Sequence, residues 1–277
     1  LSPEVGELDE AAVRAAVAAD PDAVLPLLMA MRRATDTGLR DKINALVPRL
    51  LLERAAAGRH HGGGRPRMRR QRADHGGDLD VDASLEAIAA ARAAGREPGL
   101  AELTAARWHR PGAALCLLID RSGSMEGERL ATAALAAAAC ATRARQTGTE
   151  LAVIAFDARA RVLHDIAATV DPDAVVDAVL GLRGHGTTSL HAAFGAAAGQ
   201  LARARSARSV TVLLSDCRVT DDVDPIPAAR GVPDLAVIAP GSDPAEAQRF
   251  AALADARVAV LDSVDGLPEV LESLLRH

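Results

Sequence analysis

The chain has 277 residues, 49% of them hydrophobic but only 1% aromatic, with no Tyr and Trp108 as its single Trp. That length holds one α/β domain and a smaller module, and the core must be built from Ala, Val, Leu and Ile, leaving few aromatic platforms for stacked bases. A net charge of -5 gives no general attraction to nucleic acid. Lys42 is the only lysine, and the three cysteines, Cys116, Cys140 and Cys217, are scattered with no C-x-x-C pair, which fits small buried residues in a reduced cytosol. No apolar run reaches membrane-spanning length and no signal peptide opens the chain, so the expected location is cytoplasmic.

Residues 1–57 read as a helical N-terminal region. Glu10 to Ala19, Pro21 to Arg33 and Leu39 to Ala57 carry apolar residues at helical spacing. Asp20-Pro21 and Asp36-Thr37 mark boundaries, and Pro48 is expected to kink or split the third helix. Residues 58–77, with His60-His61, a glycine run and Arg65, Arg67, Arg69, Arg70 and Arg72, are basic and almost without apolar side chains. The expectation is a flexible linker. Its arginines offer phosphate contacts, but no aromatics interleave them, so nucleic acid is disfavoured as a partner.

Residues 78–112 read as a helix and a connecting segment. Asp78, Asp80 and Asp82 have the spacing of a calcium loop, but Ala83 and Ala89 stand where such a loop needs Gly and Glu. Asp82 is expected instead to cap a helix from Ala83 to Ala94, ended by Gly95.

From residue 113 to 277 strands and helices alternate. Ala114 to Ile119 is a continuous apolar run ending in Asp120, the pattern of a strand buried on both faces. A helix follows over Glu128 to Arg145. Leu151 to Phe156 and Ala160 to Leu163 read as a hairpin. Helices are expected at Pro172 to Leu180, Leu190 to Arg203, Pro244 to Leu253 and Leu267 to Leu275. Further strands are expected at Val210 to Ser215, Leu235 to Ala239 and Val258 to Leu261. The fold class is therefore α/β, a doubly wound, Rossmann-like, mostly parallel sheet preceded by a small helical region.

In such a sheet, ligands bind beyond the carboxyl ends of the strands, where strand order reverses. Asp120 and Asp216 sit at strand ends, Ser122 and Ser124 follow the first, and Gly184 to Ser189 forms a third polar loop. Carboxylate and hydroxyl oxygens are hard donors that match Mg²⁺ or Mn²⁺. Asp120, Ser122 and Ser124 alternate along a turn that Gly123 lets tighten. Two carboxylates with several neutral hydroxyls leave the metal Lewis-acidic toward one open position, which an acidic side chain of a partner can fill. His185 and His191 are read as surface or packing residues, and Glu126 and Glu128 as acids favouring a helix N-terminus.

Enzyme templates do not fit. An aspartyl phosphatase needs a second Asp two residues after the first, where Ser122 stands, and a lysine elsewhere than Lys42. No G-x-x-x-x-G-K-[ST], G-x-S-x-G or post-strand G-x-G-x-x-G run is present. The chain is expected not to be an enzyme.

Asp120-Arg121-Ser122-Gly123-Ser124-Met125 resembles the D-x-S-G-S-M metal-ion-dependent adhesion site of von Willebrand factor A (VWA) domains. Gly186-Thr187-Thr188-Ser189-Leu190 resembles that family's threonine loop; the Thr-x-Leu spacing assigns Thr188, with Thr187 as the alternative. Leu213-Leu214-Ser215-Asp216 resembles the strand ending in the family's second aspartate. The resemblance implies a metal site of Asp120, Ser122, Ser124, Thr188 and Asp216. One departure is Cys217, where related bacterial domains often have Gly; a stiffer turn is expected there.

The segment from Gly77-Asp78-Leu79-Asp80 through Ala106-Arg107-Trp108-His109-Arg110-Pro111 is similar to CoxE-like bacterial VWA proteins, with the magnesium-chelatase D subunit as a related comparison. The resemblance implies an adaptor for an AAA+ ATPase of the MoxR type, in protein remodelling or metallocofactor maturation. The alternatives are a magnesium-chelatase D-like subunit, or a structural interaction domain touching nucleic acid through its Arg-rich linker.

Overall fold

The structure is a computed structural model that describes residues 9–32, 37–57, 67–75, 78–109, 113–122, 127–184 and 186–275. The chain divides into two compact units, Leu1–Gly63 with Ala113–His277, and Gly64–Gly112.

The first unit opens with α1 (Glu10–Ala19), α2 (Pro21–Met31) and α3 (Thr37–Ala57). Asp9 caps α1 by accepting from the amides of Ala11 and Ala12, and Asp20 caps α2 by accepting from Ala23 at 3.0 Å. Pro21 fills the first helical position, where a missing N–H costs nothing. The α3 helix continues through Pro48 as one 21-residue element rather than splitting. Ile43, Leu46 and Val47 before the proline and Leu50 and Leu51 after it are all buried in one core, which holds the two halves together. Asp36 lies outside the described residues.

The second unit holds β1 (Arg67–Arg72), β2 (Asp78–Leu79), α4 (Val81–Ala93) and β3 (Thr104–His109), with strand order β1-β3-β2, all antiparallel. Two expectations are corrected. Residues 67–72, read as linker, form a strand; its order comes from the backbone ladder to β3 and from ion pairs of Arg70 with Asp80 (2.8 Å) and Arg72 with Asp74 (3.1 Å), none of which hydropathy registers. The cap of α4 is Asp80, which accepts from the Ala83 amide at 3.0 Å, so the helix starts two residues earlier than the Asp82 reading placed it. Residues 58–66, including His60 and His61, lie outside the described residues.

The remaining elements of the first unit are β4 (Ala113–Asp120), α5 (Gly127–Thr147), β5 (Glu150–Phe156), β6 (Ala160–His164), α6 (Pro172–Leu180), α7 (Leu190–Leu201), β7 (Arg208–Leu214), α8 (Ile226–Arg230), β8 (Leu235–Pro240), α9 (Ala245–Ala254), β9 (Arg257–Leu261) and α10 (Leu267–Leu275). The strands form one six-stranded sheet in the order β6-β5-β4-β7-β8-β9. All pairs are parallel except β5 with β6. This is the doubly wound α/β architecture expected from the sequence. The short α8 and strand β3 had no strong periodic signal and were not anticipated.

Alternation along β4 assigns the two faces. Leu115, Leu117 and Ile119 share a core with α5, α6, α10 and the three N-terminal helices, whereas Ala114, Cys116 and Leu118 face α7, α8 and α9. Residues 131–141 of α5 are buried except Thr132, and eight of the eleven are alanines, because that helix is covered by the sheet on one side and by α2 and α3 on the other. Small side chains permit this close approach from both directions. Leu25 and Leu51 are fully buried against that layer, each contributing about 1.5–3 kcal/mol from apolar burial. On the opposite face Phe194 and Phe250 stack with ring centroids 5.9 Å apart. Among the described residues, no helix is long and apolar enough to cross a membrane.

Candidate metal centre

The strand order reverses between β4 and β7, the two strands flanking the middle of the sheet, and Asp120 and Asp216 lie at their carboxyl ends. The carboxylate of Asp120 accepts from Ser215 Oγ at 2.6 Å and from the Ser122 amide at 2.8 Å. The Ser122 hydroxyl also bonds to it. Burial raises the pKa of Asp120 above the ordinary carboxylate value; the hydrogen bonds from Ser215 and Ser122 oppose this, and the nearby charge of Asp216 adds to it. Asp216 in turn accepts from the Arg218 amide at 3.1 Å and lies 3.7 Å from Arg129 Nη2, an exposed guanidinium.

Asp120 and Asp216 thus line one pocket, with Ser122 bonded to Asp120, whereas Thr188 does not line it. Thr188 is buried immediately before Ser189, the N-cap of α7, whereas Thr187 is exposed. The turn before them passes through Gly186 at φ +82°, a left-handed conformation that glycine adopts without steric cost. Ser124, with Gly123, Met125 and Glu126, lies outside the described residues, as does His185. Both His191 and Glu128 are exposed.

Four residues that the sequence reading left without a role tie these loops together. Ser215 links Asp120 to the turn after β7, because its Oγ also accepts from the Cys217 amide at 2.9 Å. Thr220 joins the second and third loops: its hydroxyl accepts from the Thr188 amide at 2.6 Å, and its own amide donates to the Thr188 carbonyl at 3.2 Å. Asp157, after β5, pairs with Arg121 and accepts from the Ser189 amide. For Ser215 the available signal is a hydroxyl next to a strand-end acid; Thr220, 32 residues from Thr188, carries no such signal.

Cys217 adopts φ +59°, so the residue after Asp216 holds a left-handed conformation that glycine would adopt without steric cost. Its thiol is buried, and burial together with the charges of Asp120 and Asp216 raises its pKa.

A cleft of about 290 Å³ opens beside this pocket at the carboxyl ends of β4, β7, β8 and β9. Asp120, Asp216, Glu128, Arg129, Ser242 and Asp262 are among the residues lining it. Concave polar clefts at this edge of a doubly wound sheet are where such folds bind ligands.

A family model described as a VWA domain containing CoxE-like protein matches residues 52–262. The chain belongs to this CoxE-like VWA family. Solved structures are similar to parts of the chain. The D319A mutant of the PilB minor pilin from Streptococcus sanguinis matches with a TM-score of 0.51 and 10% identity, over 63% of this chain and 65% of that one. A von Willebrand factor type A structure from Catenulispora acidiphila matches at TM-score 0.49 and 22% identity, over 62% of this chain. The match spans only 43% of the Catenulispora chain. The conserved hypothetical protein BatB from Bacteroides thetaiotaomicron matches at TM-score 0.48 and 12% identity, over 59% of this chain and 97% of that one. No curated protein matches the chain.

VWA domains are typically protein-interaction modules rather than enzymes. In this VWA domain, no group of three or more His, Cys, Asp or Glu gathers among the described residues. A cation held by this pocket would therefore rest on two carboxylates supplemented by hydroxyls. Asp120 tests that fit: it is a half-buried carboxylate whose hydrogen bonds all come from neutral donors, with a second carboxylate close enough to raise its pKa. The exposed Arg129 guanidinium lies 3.7 Å from Asp216, but Asp120 has no ion-pair partner among the described residues, and a hard divalent cation would balance that charge.

Proposed function

We propose that this VWA domain binds a protein partner through Mg²⁺, or Mn²⁺ in its place, held by Asp120, Ser122, Ser124, Thr188 and Asp216. The observation that carries the reading is the charge imbalance at Asp120, a carboxylate set among neutral donors and facing Asp216. The metal supplies a Lewis-acidic position for an acidic side chain of the partner. The chain's own residues orient it: Ser215 and the Ser122 amide hold the Asp120 carboxylate, and Thr220 holds the backbone of Thr188.

We further propose that the partner is an AAA+ ATPase of the MoxR type, with the chain acting as its adaptor in the cytoplasm. Membership of the CoxE-like family supports this. The magnesium-chelatase D-like alternative shares the ATPase partner and differs in the client. The nucleic-acid alternative is weakened because Arg70 and Arg72 are each paired with an acid of their own unit.

A pull-down from lysate separates these readings. The adaptor reading expects an ATPase retained in Mg²⁺ and lost with EDTA or with Asp120→Ala. Retention of RNA or DNA that salt releases and EDTA does not would transfer support to the nucleic-acid reading. Hydrolysis of phosphate esters abolished by Asp120→Ala would replace both with an enzyme.

A further inference from the structure

We propose that the Arg121–Asp157 ion pair is a positioning device: it sets the spacing between the Asp120–Ser122 turn and the Thr188 loop, and through that spacing the affinity of the site for a divalent cation. The second half rests on the metal reading above; the first half stands on geometry alone.

Arg121 lies between two residues of the pocket, Asp120 and Ser122. Asp120 reaches Ser215, just after β7, while the Arg121 guanidinium reaches Asp157, just after β5 on the other side of β4. Arg121 Nη2 is 2.5 Å from Asp157 Oδ2, and both side chains are largely buried. The Arg121 amide also donates to the Phe156 carbonyl at 2.8 Å. Asp157 then touches the second loop directly: its carbonyl accepts from the Ser189 amide at 2.9 Å, one residue after Thr188. Its remaining carboxylate oxygen accepts from the Arg159 amide at 2.9 Å, which closes the β5–β6 turn and keeps Asp157 from rotating. One residue thus grips the side chain of the first loop and the backbone of the second.

Stability does not explain the pair. A buried ion pair is often no more stabilising than apolar side chains of the same volume. Here Arg121 Nε is buried without a hydrogen-bond partner among the described residues, so the guanidinium is not fully satisfied. An imperfectly satisfied buried charge pair at the junction of two loops is better explained by registration, the role for which such pairs are best attested. Groups that orient metal-binding side chains from behind typically change affinity by 10- to 100-fold when removed.

The test uses the full chain, with Mn²⁺ binding measured by calorimetry, backbone hydrogen exchange measured by mass spectrometry, and melting in EDTA. Asp157→Asn keeps the shape of the side chain and removes its charge; Arg121→Lys keeps a single cationic contact. The expected result is Mn²⁺ affinity about tenfold weaker in Asp157→Asn, faster exchange in residues 186–189, unchanged exchange in β4 and β7, and most of the affinity retained in Arg121→Lys. Unchanged exchange at 186–189 in a folded Asp157→Asn overturns the positioning role. If the wild-type chain takes up no Mn²⁺, the metal reading fails, and exchange at 186–189 alone judges the device: faster supports it, unchanged overturns it. If Asp157→Asn melts in EDTA before it can be measured, Arg121→Gln decides from the other side of the pair: faster exchange at 186–189 in that folded variant supports the device, and unchanged exchange overturns it.

Discussion

Ser215 Oγ donates a 2.6 Å hydrogen bond to Asp120 Oδ2, joining the ends of two adjacent parallel strands from positions 95 residues apart. The same oxygen accepts from the Cys217 amide. One hydroxyl therefore holds a half-buried carboxylate and the turn that carries Asp216.

Ser215→Ala removes the donor to that carboxylate and leaves the Cys217 amide without its acceptor. A hydrogen bond to a charged group contributes about 1.5–3 kcal/mol, so the variant is expected to lose stability in that range at neutral pH. It is also expected to bind Mn²⁺ about tenfold more weakly, as a ligand that has lost its orienting partner. Urea denaturation and calorimetry read the two effects separately. Wild-type values in both would show that the hydroxyl only happens to lie there.

Cys217 inverts a usual order. At φ +59° a residue with a Cβ is strained by about 1–2 kcal/mol. Its buried thiol packs against the α7–α9 face, and that packing is lost on truncation. Cys217→Ala loses the packing and keeps the strain, whereas Cys217→Gly loses the packing but relieves the strain. The glycine variant is expected to be the more stable of the two by about 1 kcal/mol, after the extra unfolded-state entropy of glycine is subtracted. Equal midpoints in urea, or a more stable alanine variant, would contradict the left-handed turn.

Asp165 sits in an exposed network with Arg203, whose two Nη atoms lie 2.7 and 2.8 Å from its carboxylate oxygens. The Arg203 hydrogen bonds, then the Ala167 amide, hold the Asp165 pKa at about 2, below its ordinary 3.8. A depressed carboxylate pKa contributes stability that is complete above the unfolded value and is lost as pH falls through the folded one. The destabilisation caused by Arg203→Gln should therefore be present at about pH 5 and vanish toward about pH 2. Solvent and salt screen so exposed a pair, which keeps the effect small and shrinks it further in high salt. Urea midpoints of wild type and variant that differ equally at both pH values would rule the pair out as the cause.

The elements most legible in the sequence were those defined by burial. The run Ala114 to Ile119 reads as a doubly buried strand because both of its faces are covered, and it is β4. Pro172 to Leu180 and Leu267 to Leu275 match their helices residue for residue, since caps and periodicity act within a single turn. Strand β1 was missed for the opposite reason: its residues Arg67–Arg72 are ordered by a backbone ladder and by ion pairs, and neither leaves an apolar period. Pro48 does not split α3, because the burial of Val47 and Leu50 around it outweighs one missing hydrogen bond.

By itself the sequence determined the α/β alternation, the family, and the order in which Asp120, Thr188 and Asp216 arrive at strand or helix ends. Local physics suffices for that, because turn geometry, caps and hydrophobic period all act over a few residues. The tertiary structure alone decided which of these meet. Asp120 finds Ser215 and Arg121 finds Asp157 because β4 lies between β7 and β5, and Thr188 finds Thr220 because two loops fold over the same edge. Side-chain alternation tells which way a residue faces, but only the pairing of strands far apart in the chain supplies the neighbour it faces.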